Sequence, residues 1–273
     1  MKQIRPAAVA GAFYTGDPGI LAGEIDAMLE EAERHAAKPA TLPKALIVPH
    51  AGYIYSGPVA ASAYTLLCQG HDIYRRVVLL GPVHRVPVRG LALPEAEGFA
   101  TPLGVVPLDL EAMARIADFP QVGEYDAAHA WEHSLEVQLP FLQTVLDDFK
   151  LVPLAVGNAT PQEVAEVLER LWGGPETLIV ISSDLSHFLP YLEAQRIDNI
   201  TAQAILDLHW PVSHEQACGG TPVNGLLLAA QHHHLRPRLL DLRNSGDTAG
   251  DKSLVVGYAA FAFIDVDEGS NVH

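Results

Sequence analysis

The chain is short of positive charge. Its 17 lysines and arginines face 33 aspartates and glutamates, a formal net charge of -16. That balance argues against a nucleic-acid backbone as partner, and it fits a cytoplasmic protein kept dissolved by self-repulsion. Cysteine is scarce too. Cys68 and Cys218 are the only two, too few for a disulfide framework. A reducing compartment follows, where a thiol stays free to act as ligand or nucleophile. No apolar run reaches the ~18 residues of a membrane span. Met1-Lys2-Gln3-Ile4-Arg5-Pro6 has no long apolar core behind it, so no signal peptide is expected. Gly-x-Gly-x-x-Gly, Gly-x-Ser-x-Gly and Cys-x-x-Cys are all missing. Their absence tells against nicotinamide cofactors, serine-hydrolase chemistry and thioredoxin-type redox. There is no low-complexity linker and no repeat of 20–50 residues.

What is present is a 49% hydrophobic chain of 273 residues in which short apolar runs alternate with helical periodicity. That pattern predicts one α/β domain over residues 1–273, a central β-sheet flanked by helices. Asp17-Pro18 signals a helix start, with Leu21, Ile25, Met28 and Leu29 at helical spacing and an end near His35. Pro58 to Leu67 predicts a buried helix. Phe99 to Val106 predicts a hairpin turning at Pro102-Leu103-Gly104. Asp109 should cap a helix carrying Leu110, Met113 and Ile116. Thr160-Pro161 and Thr221-Pro222 open two more. Tyr191 to about Leu208 predicts a helix with Ile197, Ile200, Ala204 and Ile205 on one face. Leu254 to Ile264 predicts a long closing strand.

Three of the buried strands end in polar, titratable residues. Ala45-Leu46-Ile47-Val48 runs into Pro49-His50-Ala51-Gly52-Tyr53, which opens a glycine-bracketed loop to Gly57. Val77-Val78-Leu79-Leu80 runs into Gly81-Pro82-Val83-His84. Leu178-Ile179-Val180-Ile181 runs into Ser182-Ser183-Asp184-Leu185-Ser186-His187. Open α/β sheets place ligand sites at the carboxyl ends of their strands, so one rim should carry a metal or acid/base site. His50 and His84, with Cys218, would suit a borderline or soft transition metal, although spacing alone does not bring Cys218 to that rim. Asp184 has two readings, a helix cap and a carboxylate that orients His187 as a general base.

A third set, His129-x3-His133-x2-Glu136, would project from one face of a helix that Pro140 kinks. It departs from His-Glu-x-x-His, so the zincin reading is weak and a polar helix face competes with it. His133 or Glu136 is expected to border the pocket. His232-His233-His234 reads as a solvated run at a helix end, where metal binding would be adventitious.

Several blocks occur in a fixed order: Val9-Ala10-Gly11-Ala12-Phe13-Tyr14, Pro49 to Gly57, Gly81-Pro82-Val83-His84, Thr101-Pro102-Leu103-Gly104, Glu132 to Pro140, Ser182 to His187 and Gly257-Tyr258-Ala259-Ala260. Together they resemble the Memo family, whose prokaryotic members are called AmmeMemoRadiSam system protein B. The resemblance implies the fold of the class III extradiol ring-cleaving dioxygenases, with non-haem iron at the sheet edge. It implies a metal cluster of His50, His84 and Cys218 and an acid/base role for His187, with Asp184 beside it. His133, Glu136 and Tyr53 would border the pocket. Val83 and Arg85 depart from the pattern, which has a small hydroxyl residue before the second histidine and often a histidine after it.

The expected function is therefore redox or oxygen chemistry on an unknown small molecule, dependent on iron (Fe2+) or copper, with zinc the weaker fit. The family name implies an AMMECR1-like protein and a radical SAM enzyme as partners. The alternatives are a non-enzymatic partner-binding or metal-handling protein with a vestigial site, and a zinc hydrolase built on the third set.

Overall fold

The computed structural model describes residues 3–35 and 41–265. A short strand, β1 (Ile4–Arg5), precedes α1 (Pro18–His35). Asp17 caps α1: its Oδ1 accepts hydrogen bonds from the backbone N–H groups of Gly19 and Ile20. Leu21, Ile25 and Leu29 are its buried stripe. Next come β2 (Ala45–Val48) and α2 (Tyr53–Tyr64). The helix expected from Pro58 thus starts at Tyr53, and the loop after His50 ends at Gly52.

The middle of the chain supplies β3 (Arg76–Pro82), β4 (Leu91–Leu93), β5 (Gly98–Thr101), β6 (Gly104–Pro107), α3 (Leu110–Ala114) and β7 (Val122–Glu124). β5 and β6 form the expected hairpin, and Gly104 takes a φ of 126° that a side chain would oppose. Asp109 caps α3 by accepting from Ala112 N–H, but Leu110 faces outward, and Met113, with Ile116 just beyond the helix, is buried as expected.

Residues 126–148 are not one helix. They form α4 (Ala127–Ala130), an irregular turn, a 3-10 turn at Glu136–Gln138 and α5 (Leu139–Val145). Pro140 begins α5 instead of kinking a longer helix, because its missing N–H costs nothing in a first turn.

The last part gives β8 (Lys150–Val156), α6 (Pro161–Leu171), β9 (Thr177–Ser182), β10 (His187–Leu189), α7 (Tyr191–Leu206), α8 (Gly220–His232), β11 (Arg236–Asn244), α9 (Ser245–Thr248) and β12 (Val255–Ile264). α6 starts on a capping box between Thr160 and Glu163.

The main sheet runs β10-β12-β2-β9-β3-β8-β4-β7, with β11 also paired to β12. Its centre, β2, β9, β3 and β8, is parallel. Nearly every residue of these four strands is buried, as expected for strands covered on both faces. β12 flanks them antiparallel to β2. The sequence thus folds as a single α/β domain. No helix among the described residues is long and apolar enough to cross a membrane.

One detail of this frame positions the third strand end. Asp198, on α7, is buried and accepts from the backbone N–H of Ser186. Gly257, on β12, accepts from Leu185 N–H and donates to the Ser186 carbonyl. Asp198 therefore pulls its own face of α7 inward, with Ala194, Thr201, Ala202 and Ile205. Ile200, expected in the core, is left 53% exposed.

A Cβ on Gly257 would stand 2.0 Å from Asp198 Oδ2. Gly257→Ala should therefore cost about 1–3 kcal/mol through overpacking, read as a lower urea midpoint. An unchanged midpoint would show that the turn at residues 185–187 is not held this way.

Candidate metal centre

Strand β9 lies between β2 and β3, in register at Val48↔Ser182 and Leu80↔Ile181. The three polar strand ends are therefore neighbours. His50 is buried on this rim. Its Nδ1 lies 3.0 Å from Ser182 Oγ. That hydroxyl donates to the Ser134 carbonyl (2.6 Å) and accepts from Gln138 Nε2 (2.8 Å). Its proton is already used, so it accepts from His50 Nδ1–H. The lone pair of His50 is then on Nε2.

His84 is arranged the same way by a different partner. Glu132 Oε1 accepts from His84 Nδ1 at 2.9 Å, and Oε2 accepts from His84 N–H at 2.6 Å. Nε2 again carries the lone pair. A carboxylate behind an imidazole is the usual support of a metal-ligating histidine. Glu132 Oε1 also accepts from the backbone N–H groups of His133 and Ser134. Burial opposes ionisation of Glu132, but the hydrogen bonds from His84 and the turn prevail and hold its pKa near 2.

The turn at residues 132–134 places His133 on the same rim. Its ring stacks on His84 with centroids 4.6 Å apart and meets His50 edge-on at 5.4 Å. Its Nδ1 is buried and makes no hydrogen bond. One ring nitrogen from each of His50, His84 and His133 lies within 4.8 Å of the others. Cys218 lies outside that group, but its Sγ is 3.3 Å from His50 Nε2. Ligands of one tetrahedral ion, with M–N ~2.0 Å and M–S ~2.3 Å, sit roughly 3.5 Å apart. The thiol is therefore within reach of an ion held by His50.

The charges also fit a cation. Burial holds the pKa of His50 well below its ordinary value, aided by the neighbouring imidazoles, and that of His133 below it, aided by His84 against the pull of Glu132. Both rings stay neutral, the form that binds metals. Two buried carboxylates, Glu132 and Asp184, flank them, and among the described residues no lysine or arginine pairs with either. Burial, with Asp184 nearby, pushes the Cys218 thiol up to about 12. A bound cation would favour the thiolate and offset the acidic surroundings.

Other expected site residues take partners different from those expected. Asp184 neither caps a helix nor orients His187. Its Oδ1 accepts from His50 N–H at 2.7 Å, because the chain just past β9 turns toward the end of β2. His187 instead donates from Nδ1 to the Leu185 carbonyl at 2.8 Å, leaving Nε2 as its basic atom.

The third set is dispersed by the broken helix. His129 Nε2 bonds the Ala92 carbonyl. Glu136 is fully buried away from the rim, where it accepts from Arg5, Ala8 N–H, Val9 N–H and the Tyr14 hydroxyl. Tyr53 is also a core residue, its hydroxyl donating to the Val137 carbonyl at 2.6 Å and its ring packed on Phe141.

Glu132, Ser182 and Gln138 support the cluster yet carry no spacing signal. The sequence offered only their adjacency to His133, to Asp184 and to Glu136. A cavity of about 690 Å³ opens beside the cluster. His84, His187 and Cys218 line one part, and Leu189, Ile197 and Ile200 another. The outward turn of Ile200 gives this cavity its apolar wall.

Comparison with known proteins agrees with the whole-chain pattern. The family model for Memo-like proteins matches residues 5–262. A MEMO1 family protein of Aquifex aeolicus (strain VF5) is 37% identical over 275 residues, covering 96% of this chain and 100% of that one. One from Metallosphaera sedula is 34% identical over 291 residues, covering 97% and 100%.

Glu132→Gln should weaken metal binding at the cluster ~10–100-fold. Glu136→Gln should leave that affinity unchanged while lowering stability by roughly 3–5 kcal/mol, because Arg5 loses its buried partner. Metal titration and urea unfolding of the two variants separate these roles, and an equal loss of affinity in both would refute the assignment.

His129 supplies a pH dependence. Burial, aided by Arg5, holds its pKa down to about 4, against ~6.5 in the unfolded chain. Between those values the unfolded state binds a proton that the native ring refuses. Stability should therefore fall as pH drops through this window, by on the order of 3 kcal/mol at its lower end. The slope should be shallower in His129→Gln; identical slopes would contradict it.

Proposed function

The chain belongs to the Memo family, and from that premise we propose that it holds one transition-metal ion, iron or copper, on His50, His84 and Cys218. His133 lies beside them as a further donor. The observation that carries this reading is the convergence of three imidazoles and a thiol beside two buried carboxylates with which, among the described residues, no lysine or arginine pairs. Imidazole and thiolate donors suit iron, copper and zinc better than magnesium or calcium. When bound, such an ion supplies redox or oxygen chemistry.

The chain's own residues supply the rest. Leu189, Ile197 and Ile200 give the adjoining cavity an apolar wall that keeps water from one side of a small substrate. His187 borders the same cavity, with its Nδ1 proton committed to a backbone carbonyl. Its Nε2 takes or returns a proton there. Cys218, as thiolate, donates charge and shifts the potential relative to a carboxylate ligand.

Elemental analysis after anaerobic purification tests the metal assignment. Wild type should carry iron or copper near one per chain. His50→Ala, His84→Ala and Cys218→Ser should lose it, whereas His187→Ala should retain it. Metal lost in His133→Ala but kept in Cys218→Ser would replace the thiolate by the third imidazole. No metal in any of them, with the fold intact, would sink the proposal and favour a partner-binding protein.

A further inference from the structure

We propose that Glu169, His232 and His233 form a second cation site, one that takes a divalent late first-row ion such as Zn2+ and clamps the end of α8 to α6. His232 is the last residue of α8, and His233 follows as its cap. Both reach the same side chain of α6. Glu169 Oε1 lies 2.8 Å from His232 Nδ1, and Oε2 lies 2.9 Å from His233 Nε2. One ligand atom from each residue lies within 4.8 Å of the others.

The arrangement is held by packing outside the cluster. The His233 ring lies flat on Trp172, with centroids 3.7 Å apart and planes 7° from parallel. Trp172 is itself fixed: Lys44 Nζ lies 5.3 Å from its ring centroid and donates to its carbonyl at 2.5 Å. α8 approaches α6 closely because Gly225 has no side chain; a Cβ there would stand 2.3 Å from Val164 Cγ1. The two helix ends are therefore brought together before any ion binds, which limits the ordering cost of binding.

The donor set selects the ion. Two imidazole nitrogens and one carboxylate oxygen suit zinc, nickel or copper and not the all-oxygen preference of calcium or magnesium. Among the described residues, Glu169 has no lysine or arginine partner. The cluster shares no residue with the centre at His50, and α8 begins just after Cys218 and ends here. The two sites thus lie at opposite ends of one helix and can be removed separately.

The experiment uses chelator-stripped full-length chain loaded with Zn2+, desalted and analysed for bound metal. Glu169→Gln and His233→Ala should each bind one equivalent fewer than wild type, His234→Ala should match wild type, and the equivalent left in His84→Ala should be lost when Glu169→Gln is added. Zn2+ should also raise the melting temperature of His84→Ala, and Glu169→Gln in that background should abolish the rise. Bound zinc unchanged by Glu169→Gln and His233→Ala would overturn the proposal. So would an equal loss in His234→Ala, which would assign the ion to the histidine run alone. An equivalent lost in Glu169→Gln but none in His84→Ala would leave this site standing while the reading of the first fails.

Discussion

Two carboxylates buried at the edge of a parallel sheet set the geometry of this protein. Glu132 holds the backbone and ring of His84 and the turn carrying His133. Asp184 holds the backbone of His50. Each satisfies N–H groups that would otherwise be left unpaired where the strands stop. Glu132 also leaves a negative charge beside the imidazoles, whereas burial pushes the pKa of Asp184 up. Burial, with neighbouring imidazoles, holds the pKa values of His50 and His133 down. Burial alone would favour protonated carboxylates, yet the N–H groups aimed at Glu132 keep it charged. The rim is thus acidic, hydrogen-bonded and rich in lone pairs, which is what a borderline metal ion requires.

A second buried ion pair lies further out. Arg5, on the first strand, bonds Glu136 and also donates to the carbonyls of His129 and Glu132. It therefore fixes both ends of the irregular segment from which Glu132 and His133 project. Glu136 in turn anchors the chain near Ala8, Val9 and Tyr14. The ordered blocks Val9–Tyr14 and Glu132–Pro140 are joined by this contact. A segment without regular structure is stiff here because its backbone is held by charged groups from elsewhere. Removing either charge strands the other in the core, where it is costly.

Helix α8 connects the two donor clusters. Its first turn follows Cys218, and its last carries His232 and His233. Gly219 packs against Ser183 and Gly225 against Val164, so the start and the middle of the helix are set by close approach.

The apolar runs and their Asp-Pro and Thr-Pro starts determined most of the fold. They marked β2, β3, β9 and β12, α1 and α6, because a strand buried on both faces is apolar throughout and a capped helix announces its first turn; Thr221-Pro222 lies inside α8, which starts at Gly220 on an uncapped Gly219. They also placed His50, His84, Asp184 and His187 at strand ends. What they could not decide was which side chains meet. The order β2-β9-β3 depends on pairing between distant strands, so the adjacency of His50 and His84 is a tertiary fact. His133 joined them, while His129, Glu136 and Tyr53 turned into the core, because residues 126–148 break into short pieces. Helical spacing has no bearing on a turn held by Glu132. The phase of α7 depended likewise on one buried aspartate reaching a backbone N–H across the sheet, an attraction no local pattern encodes.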